Sequence, residues 1–426
     1  MNGVIIIGLF FTLMMLGIPV AISLGLAALI YVTALTSIDP IIVAQQLIAG
    51  ADKFTLLAIP FFVMAGGFME QGGISKRIVH FAKSLFSPLP GGLALVVIGA
   101  SMIFASMTGA GAATAAAIGS IMLPAMRREK YDEDFSCALQ ATAGIFGPLI
   151  PPSILMVLYG VATNTSAGDM LLGGVLPGLS LGVLVAVAAV YICMKNGYRG
   201  EGKLSLREIL SAFSYAFFAL LTPVIILGGI YSGIFTATEA AAVAALYSLI
   251  AGGLIYRELT IAKILNIGYR CLKLSCGILF IVAATQAFGW VLTREQVPQM
   301  LAQFFGSLSS DPTVFMFAVC VLLLIAGCFI DAVPAVMIFA PILAPSAQQY
   351  GINMVHFGVV MVVALCIGLI TPPVGMNLFV VSSLTKRPVH AIVKKLVPFL
   401  IAVIIGLVFV VLIPQLSLFL PEALGR

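Results

Sequence analysis

Hydrophobic residues run through this chain in stretches of about 20 or more, parted by short polar or charged connectors. An α-helix needs about that length to cross a ~30 Å hydrocarbon core, and the short alternating segments of a membrane β-barrel are missing. The expected fold is an all-α polytopic membrane protein. Residues 3–35 form one apolar stretch too long for a straight span, so a bend is expected at Gly17-Ile18-Pro19. Residues 54–70 make a further span. In 74–86 the apolar residues fall at helical spacing, while Lys76, His80 and Lys83 share the other face. That is the pattern of an amphipathic arm lying along the interface. Residues 89–126 are apolar yet carry Ser106-Met107-Thr108-Gly109-Ala110-Gly111 at their centre. They read as a re-entrant hairpin with its tip there, or as one helix with a flexible middle. An interrupted helix at 137–161, a polar turn at 163–169 and a span at 170–194 follow. After a basic linker, 195–208, the order recurs. There are spans near 209–230, 236–256 and 272–293, an arm at 297–308 and a hairpin at 313–346. An interrupted helix at 356–383 and a last span at 398–420 complete the chain.

The two interruptions share a pattern. Gly147-Pro148-Leu149-Ile150-Pro151-Pro152 and Gly368-Leu369-Ile370-Thr371-Pro372-Pro373 both read G-x-x-x-P-P inside apolar runs. Paired prolines withdraw two amide donors and clash with the preceding turn, so neither run continues as α-helix. Unwound backbone is tolerated at membrane depth only where it is buried in protein or lines a polar cavity. Taken alone, each pair reads equally well as a kink in a packing helix. A shift of 221 residues, however, lays Gly147 on Gly368, Pro151 on Pro372, Pro152 on Pro373 and Pro124 on Pro345. The same shift carries the tip Ser106–Gly109 onto Gly327-Cys328-Phe329-Ile330, beside Asp331, and the arm 74–86 onto 295–307. Four Gly/Pro matches at one offset, in a chain with 22 prolines, point to internal duplication. The first repeat is 1–194 and the second 209–426. Interrupted hydrophobic segments at matching places in two halves are the best sequence pointer to a transporter's binding site.

Composition agrees with a membrane protein: 62% of the 426 residues are hydrophobic and 9% charged, against roughly 25% charged in soluble domains. The net charge of +5 carries no signal for nucleic acid, because the basic residues sit at span ends. If the two hairpins open to opposite sides, the segments 75–84, 127–134, 195–208, 257–273 and 386–395 share one side. Those segments hold eighteen of the twenty-one Lys and Arg residues, Lys195, Arg199, Lys203 and Arg207 of the linker among them. Only Lys53, Arg294 and Arg426 remain on the other side. The positive-inside rule makes the basic side cytoplasmic. The first hairpin then opens inward and the second outward, and the repeats have inverted topology. Met1 runs almost directly into an apolar segment without a basic leader, so the first helix is expected to be retained.

Enzyme chemistry finds little support. The seven cysteines lie in or beside apolar runs without C-x-x-C spacing, and the three histidines, His80, His356 and His390, are far apart. No nucleophile motif, phosphate loop or cofactor-binding pattern is present. The broken segments offer other chemistry. Backbone carbonyls at Ser106, Gly147, Ile150 and Ser153, and by the 221 shift at Gly327, Gly368, Thr371 and Val374, can hold a small cation such as Na+ without adding buried charge. Helix N-termini at the same depth direct about half a positive charge toward an anionic substrate. Thr108, Gly109, Pro151, Pro372 and Asp331 are the candidates to contact it. Asp331 stands at the second tip, where a carboxylate is costly unless it faces a cavity or a partner. It can bind a coupling ion, contact substrate, carry a proton, or simply be hydrated. Glu239, in Phe235-Thr236-Ala237-Thr238-Glu239-Ala240, reads as an acidic residue in the first turn of a helix.

The runs Phe104–Gly109, Ala117–Met126, Gly147–Ser153, Phe235–Ala240 and Gly368–Pro373 together resemble the large membrane subunit of TRAP (tripartite ATP-independent periplasmic) transporters, over nearly the whole chain. The resemblance implies a sodium-driven importer of organic acids, of the sialic acid or C4-dicarboxylate type, in the bacterial inner membrane. It implies an elevator mechanism, in which hairpins and broken helices slide against a scaffold. It also implies two partners, a small four-helix membrane subunit on a separate chain and a periplasmic substrate-binding protein. Within the family, sialic acid is the preferred cargo. A proton-coupled carrier using Asp331 and an ion-translocating subunit of a larger membrane enzyme are the competing readings.

Overall fold

The computed structural model describes residues 2–198, 200 and 204–424; Arg199, Lys203 and Arg426 lie outside the described residues. All regular structure among those described is helical. Among the described residues eight helices are long and apolar enough to cross a membrane, or up to nine if one bent pair counts as a span.

The first stretch forms α1 (Asn2–Met15) and α2 (Val20–Leu35), with the chain turning at Gly17 and Pro19 between them. Next comes α3 (Ile41–Ala51), which the hydrophobic pattern did not mark; Gln45 and Gln46 interrupt its apolar run. A tight turn at Phe54–Leu57 leads into α4 (Ala58–Gln71), and the first arm is α5 (Ile74–Phe86). The first tip joins α6 (Gly92–Thr108) to α7 (Gly111–Arg128). The first interrupted segment comprises α8 (Glu133–Ala143), α9 (Phe146–Leu149) and α10 (Ile154–Thr163), bent by 43° at the break. A short α11 (Ala167–Gly173) and α12 (Val175–Lys195) end this half.

The second half opens with α13 (Leu206–Tyr231) and α14 (Ala237–Ile250), the latter running into one π-helical turn at Ala251–Ile255. Then come α15 (Ile261–Arg294), the second arm α16 (Val297–Leu308), and α17 (Pro312–Phe329) and α18 (Ala332–Gln349) around the second tip. The second interrupted segment is α19 (Met354–Gly368) and α20 (Met376–Thr385), followed by α21 (Val389–Leu412) and α22 (Gln415–Ala423).

Two bounds differ from the sequence reading for physical reasons. α15 begins at Ile261 rather than 272, because Thr260 caps it by accepting from the Lys263 amide and the exposed Lys263, Arg270 and Lys273 lower hydropathy without breaking helix. α21 begins at Val389 rather than 398, and the chain leaves the helix at Ile413-Pro414, so the last span does not run to 420.

In lipid the hydrophobic effect does not drive helices together, so close packing and internal polar contacts must. A smaller core joins α1, α2, α3, α15 and α16 with α18 through Ile6, Phe10, Val43, Phe288, Val297 and Ile338. The larger core takes in the tips, both interrupted segments and their neighbours. Polar ties join the two halves. Arg387 donates from Nε and Nη2 to the two carboxylate oxygens of Asp134, each at 2.7 Å, and the Tyr159 hydroxyl donates to the Met354 carbonyl at 2.9 Å. The first arm is pinned as well as laid down. Arg77 pairs with Glu258 at 2.8 Å, donates to the Gly73 carbonyl and lies 3.7 Å over the Tyr256 ring.

Candidate functional site

Each tip is docked on one break. At the first, Gly109 has φ 65° and stands so close to the unwound chain that a Cβ there would lie 2.7 Å from the Pro152 carbonyl oxygen. Gly147 meets the Ala110 carbonyl in the same way. At the second, a Cβ on Gly368 would lie 2.6 Å from Cα of Gly327, and the Val374 amide donates to the Cys328 carbonyl at 3.3 Å. Only glycine permits such backbone-to-backbone approach. Both Pro–Pro bonds, Pro151-Pro152 and Pro372-Pro373, are cis.

The first junction therefore gathers the tip residues Ser106, Thr108 and Gly109 with the break residues Gly147, Ile150, Pro151 and Ser153. Thr108 and Ser153 are buried, as are Ile150 and Pro151. The Ser106 hydroxyl donates to Ile103, and the hydroxyls of Thr108 and Thr114 lie 3.1 Å apart. Ser153 caps α10, accepting from the Met156 amide while donating to the Pro148 carbonyl. The second junction gathers Gly327 with Gly368, Thr371, Pro372 and Val374, but it is more open. Pro372 and Pro373 are exposed, and so is Val374, whereas Pro151 and Pro152 are sealed in. Asp331 is half-buried at the N-cap position of α18, and it lines a cavity of about 460 Å³ with Ile278 and Ile281 of α15.

Not all the expected carbonyls stand free. The Ser153 carbonyl accepts from the Val157 amide at 3.2 Å, and that of Gly368 from the Thr371 amide at 3.0 Å, because each closes a helical turn. A carbonyl has two lone pairs, so each keeps one for a cation. Four helix N-termini, of α7, α10, α18 and α20, begin at the tips and breaks. Their dipoles favour an anion nearby. Glu239 is taken up locally: it forms a capping box with Thr236.

The sequence reading missed Asn377. Its side chain is fully buried, crosses from α20 to donate to the Ala141 carbonyl of α8 at 3.2 Å, and leaves Oδ1 without a partner. Gln140 on α8 is likewise buried, with Oε1 unpartnered. Orphaned oxygens in a buried place are costly unless an ion or water meets them, so this region suits a hard cation. A lone amide in the apolar run Met376–Val380 was the available signal. The 221 shift hides it, since it pairs Asn377 with Met156.

The arrangement is that of a membrane carrier, and comparison with known proteins supports that class. The fold is similar to that in "Crystal structure of the Alcanivorax borkumensis YdaH transporter reveals an unusual topology", with a TM-score of 0.69 over 95% of this chain and 99% of that one; at 13% identity the likeness is one of fold. Residues 7–416 match the family described as "Tripartite ATP-independent periplasmic transporter, DctM component". The sialic acid TRAP transporter large permease protein SiaM of Vibrio cholerae is 42% identical over 410 residues, 96% of each chain. The C4-dicarboxylate TRAP transporter large permease protein DctM of Pseudomonas aeruginosa is 41% identical over 95% of this chain and 94% of its own. The chain belongs to the DctM family of TRAP transporter large permeases. It is thus a multi-pass inner-membrane transport protein, not an enzyme, of a family that works with a small permease and a periplasmic binding protein.

Proposed function

We propose that this permease imports an organic acid anion, of the sialic acid or C4-dicarboxylate type, by sodium symport. The observation that carries the reading is the pair of docked junctions, each bringing unwound carbonyls against a hairpin tip, with the orphaned Asn377 Oδ1 beside the first. In this reading Na+ is held by carbonyl oxygens of Ser106, Gly147, Ile150 and Ser153 at one junction, and of Gly327, Gly368, Thr371 and Val374 at the other. Hard cations prefer such oxygen ligands. The acid lies against Thr108, Gly109, Pro151, Pro372 and Asp331, drawn by the helix N-termini. Sodium bound at a junction fixes tip to break, and the fixed surface then recognises the anion, so the two bind together. The repeats are inverted, and the tips and breaks move as one body against the helices α1, α2 and α15 in an elevator stroke. A separate four-helix subunit completes the scaffold, and a periplasmic binding protein delivers the cargo. The cargo class rests on the relatives named for sialic acid and C4-dicarboxylate.

The test is uptake of labelled N-acetylneuraminate and of succinate into proteoliposomes of the assembled permease with its binding protein. An inward sodium gradient should drive accumulation of one of them. Uptake driven by a proton gradient with no sodium would overturn the coupling and favour Asp331 as a proton carrier.

A further inference from the structure

Two cavities flank α15. One, of about 170 Å³, lies between Gly66 and Gly67 of α4, the first tip at Thr108 and Ala110, and Ile154 beyond the first break. The other, the cavity of about 460 Å³ at Asp331, reaches the second tip. Arg270 lines both. It belongs to a single face of α15, since Lys273, Leu274 and Gly277 follow it at helical spacing along the same wall. α15 is long and apolar enough to span the membrane, and Arg270 is exposed in its first third, on the side that the charge distribution makes cytoplasmic. Among the described residues Arg270 enters no ion pair. The carboxylate that lines the smaller cavity with it is Glu70, of α4. Thus Arg270 stands on a wall shared with both tips, with Glu70 across the smaller cavity and with Lys273 and Asp331 beside it in the larger one. The tips themselves carry a carboxylate, Asp331, and no basic residue.

We propose that Arg270 is the carboxylate-recognition group for the transported anion, supplied by α15 rather than by a tip, and that Glu70 competes with the cargo for it. This rests on the import reading above and adds the residue that reads the acid group. A guanidinium offers two parallel donors to one carboxylate, which suits a mono- or dicarboxylate better than any neutral solute. With the cavity empty, Glu70 offsets the Arg270 charge. With cargo present, the acid takes that place. Arg270 meets the cargo only while the tips lie at its level, so the contact is lost as they move away and release is favoured.

The test uses the assembled permease in proteoliposomes under an inward sodium gradient, with labelled N-acetylneuraminate and succinate offered separately. Arg270→Gln should raise KM for the transported acid at least tenfold, and Arg270→Lys by less. Glu70→Gln should lower KM, because the competitor is gone. Opposite signs for the two positions mark recognition; a merely structural Glu70–Arg270 contact would make both variants worse. If Arg270→Gln fails to assemble, Arg270→Lys decides by the same criterion. An unchanged KM at position 270, or KM rising in both the Arg270 and Glu70 variants, would overturn the assignment while leaving import intact. No uptake of either acid by the wild type would instead overturn the import reading, and this assignment with it.

Discussion

Replacing Gly368 with alanine should weaken sodium binding far more than it weakens the fold. The new Cβ would sit 2.6 Å from Cα of Gly327, 2.7 Å from its carbonyl carbon and 2.9 Å from its carbonyl oxygen. All three are backbone atoms, so no side chain can turn away. Ordinary contact begins at 3.4 Å, and 3.4 − 2.6 leaves 0.8 Å by which tip and break must part. Overpacking of this kind costs about 1–3 kcal/mol, and the helical gain of alanine over glycine returns roughly 0.5–1 kcal/mol. The net loss of stability is therefore about 0–2.5 kcal/mol, tolerable for a domain of this size. An ion site tolerates only about 0.2 Å of error in its ligand distances. A displacement several times larger should reduce sodium affinity at least tenfold, about 1.4 kcal/mol. The assay is thermal stability of the detergent-purified complex titrated with NaCl at constant ionic strength, since an ion that binds only the folded state raises Tm with concentration. Gly228→Ala on α13 is the control, because nothing lies within 4 Å of its Cβ position. A sodium midpoint in Gly368→Ala equal to that of the wild type would refute the idea that tip-to-break contact makes the site.

Further outcomes follow from the same geometry. Asp331→Asn should lower transport without preventing assembly, since the carboxylate lines a cavity and asparagine keeps a side-chain oxygen at the N-cap position of α18; normal uptake would show that the residue is merely hydrated. Pro372→Ala together with Pro373→Ala should let the helix re-form through an exposed break and weaken ion binding, and unchanged sodium dependence would count against carbonyl ligation. Arg77→Ala should destabilise the permease by about 3 kcal/mol, because it strips the partner from Glu258 and removes a side chain only 9% exposed. A Tm within a degree of wild type would mean the arm is held by apolar packing alone.

What could be read in the sequence was what depends on local chemistry. Proline forbids helix wherever it falls, so both breaks were visible from G-x-x-x-P-P, and glycine with small polar residues marked the first tip. Features that depend on distant partners were not visible. Arg77 looks like one more basic residue of an amphipathic arm, and its burial exists only because Glu258, 181 positions away, comes to meet it. Asn377 resembles a polar interruption until α8 is placed beside it. Identical proline pairs also gave no hint that one break is sealed in protein and the other open, since that follows from what packs around each.

The central claim is that sodium sits at the tip-to-break junctions on backbone oxygen. High-resolution cryo-EM maps of the assembled permease in sodium and in choline test it most directly. An ion is expected in the sodium map among the carbonyls of Ser106, Gly147 and Ile150, another among those of Gly327, Gly368 and Thr371, and neither in choline. Sodium maps with both junctions empty, or with a single ion held by the Asp331 carboxylate, would contradict it.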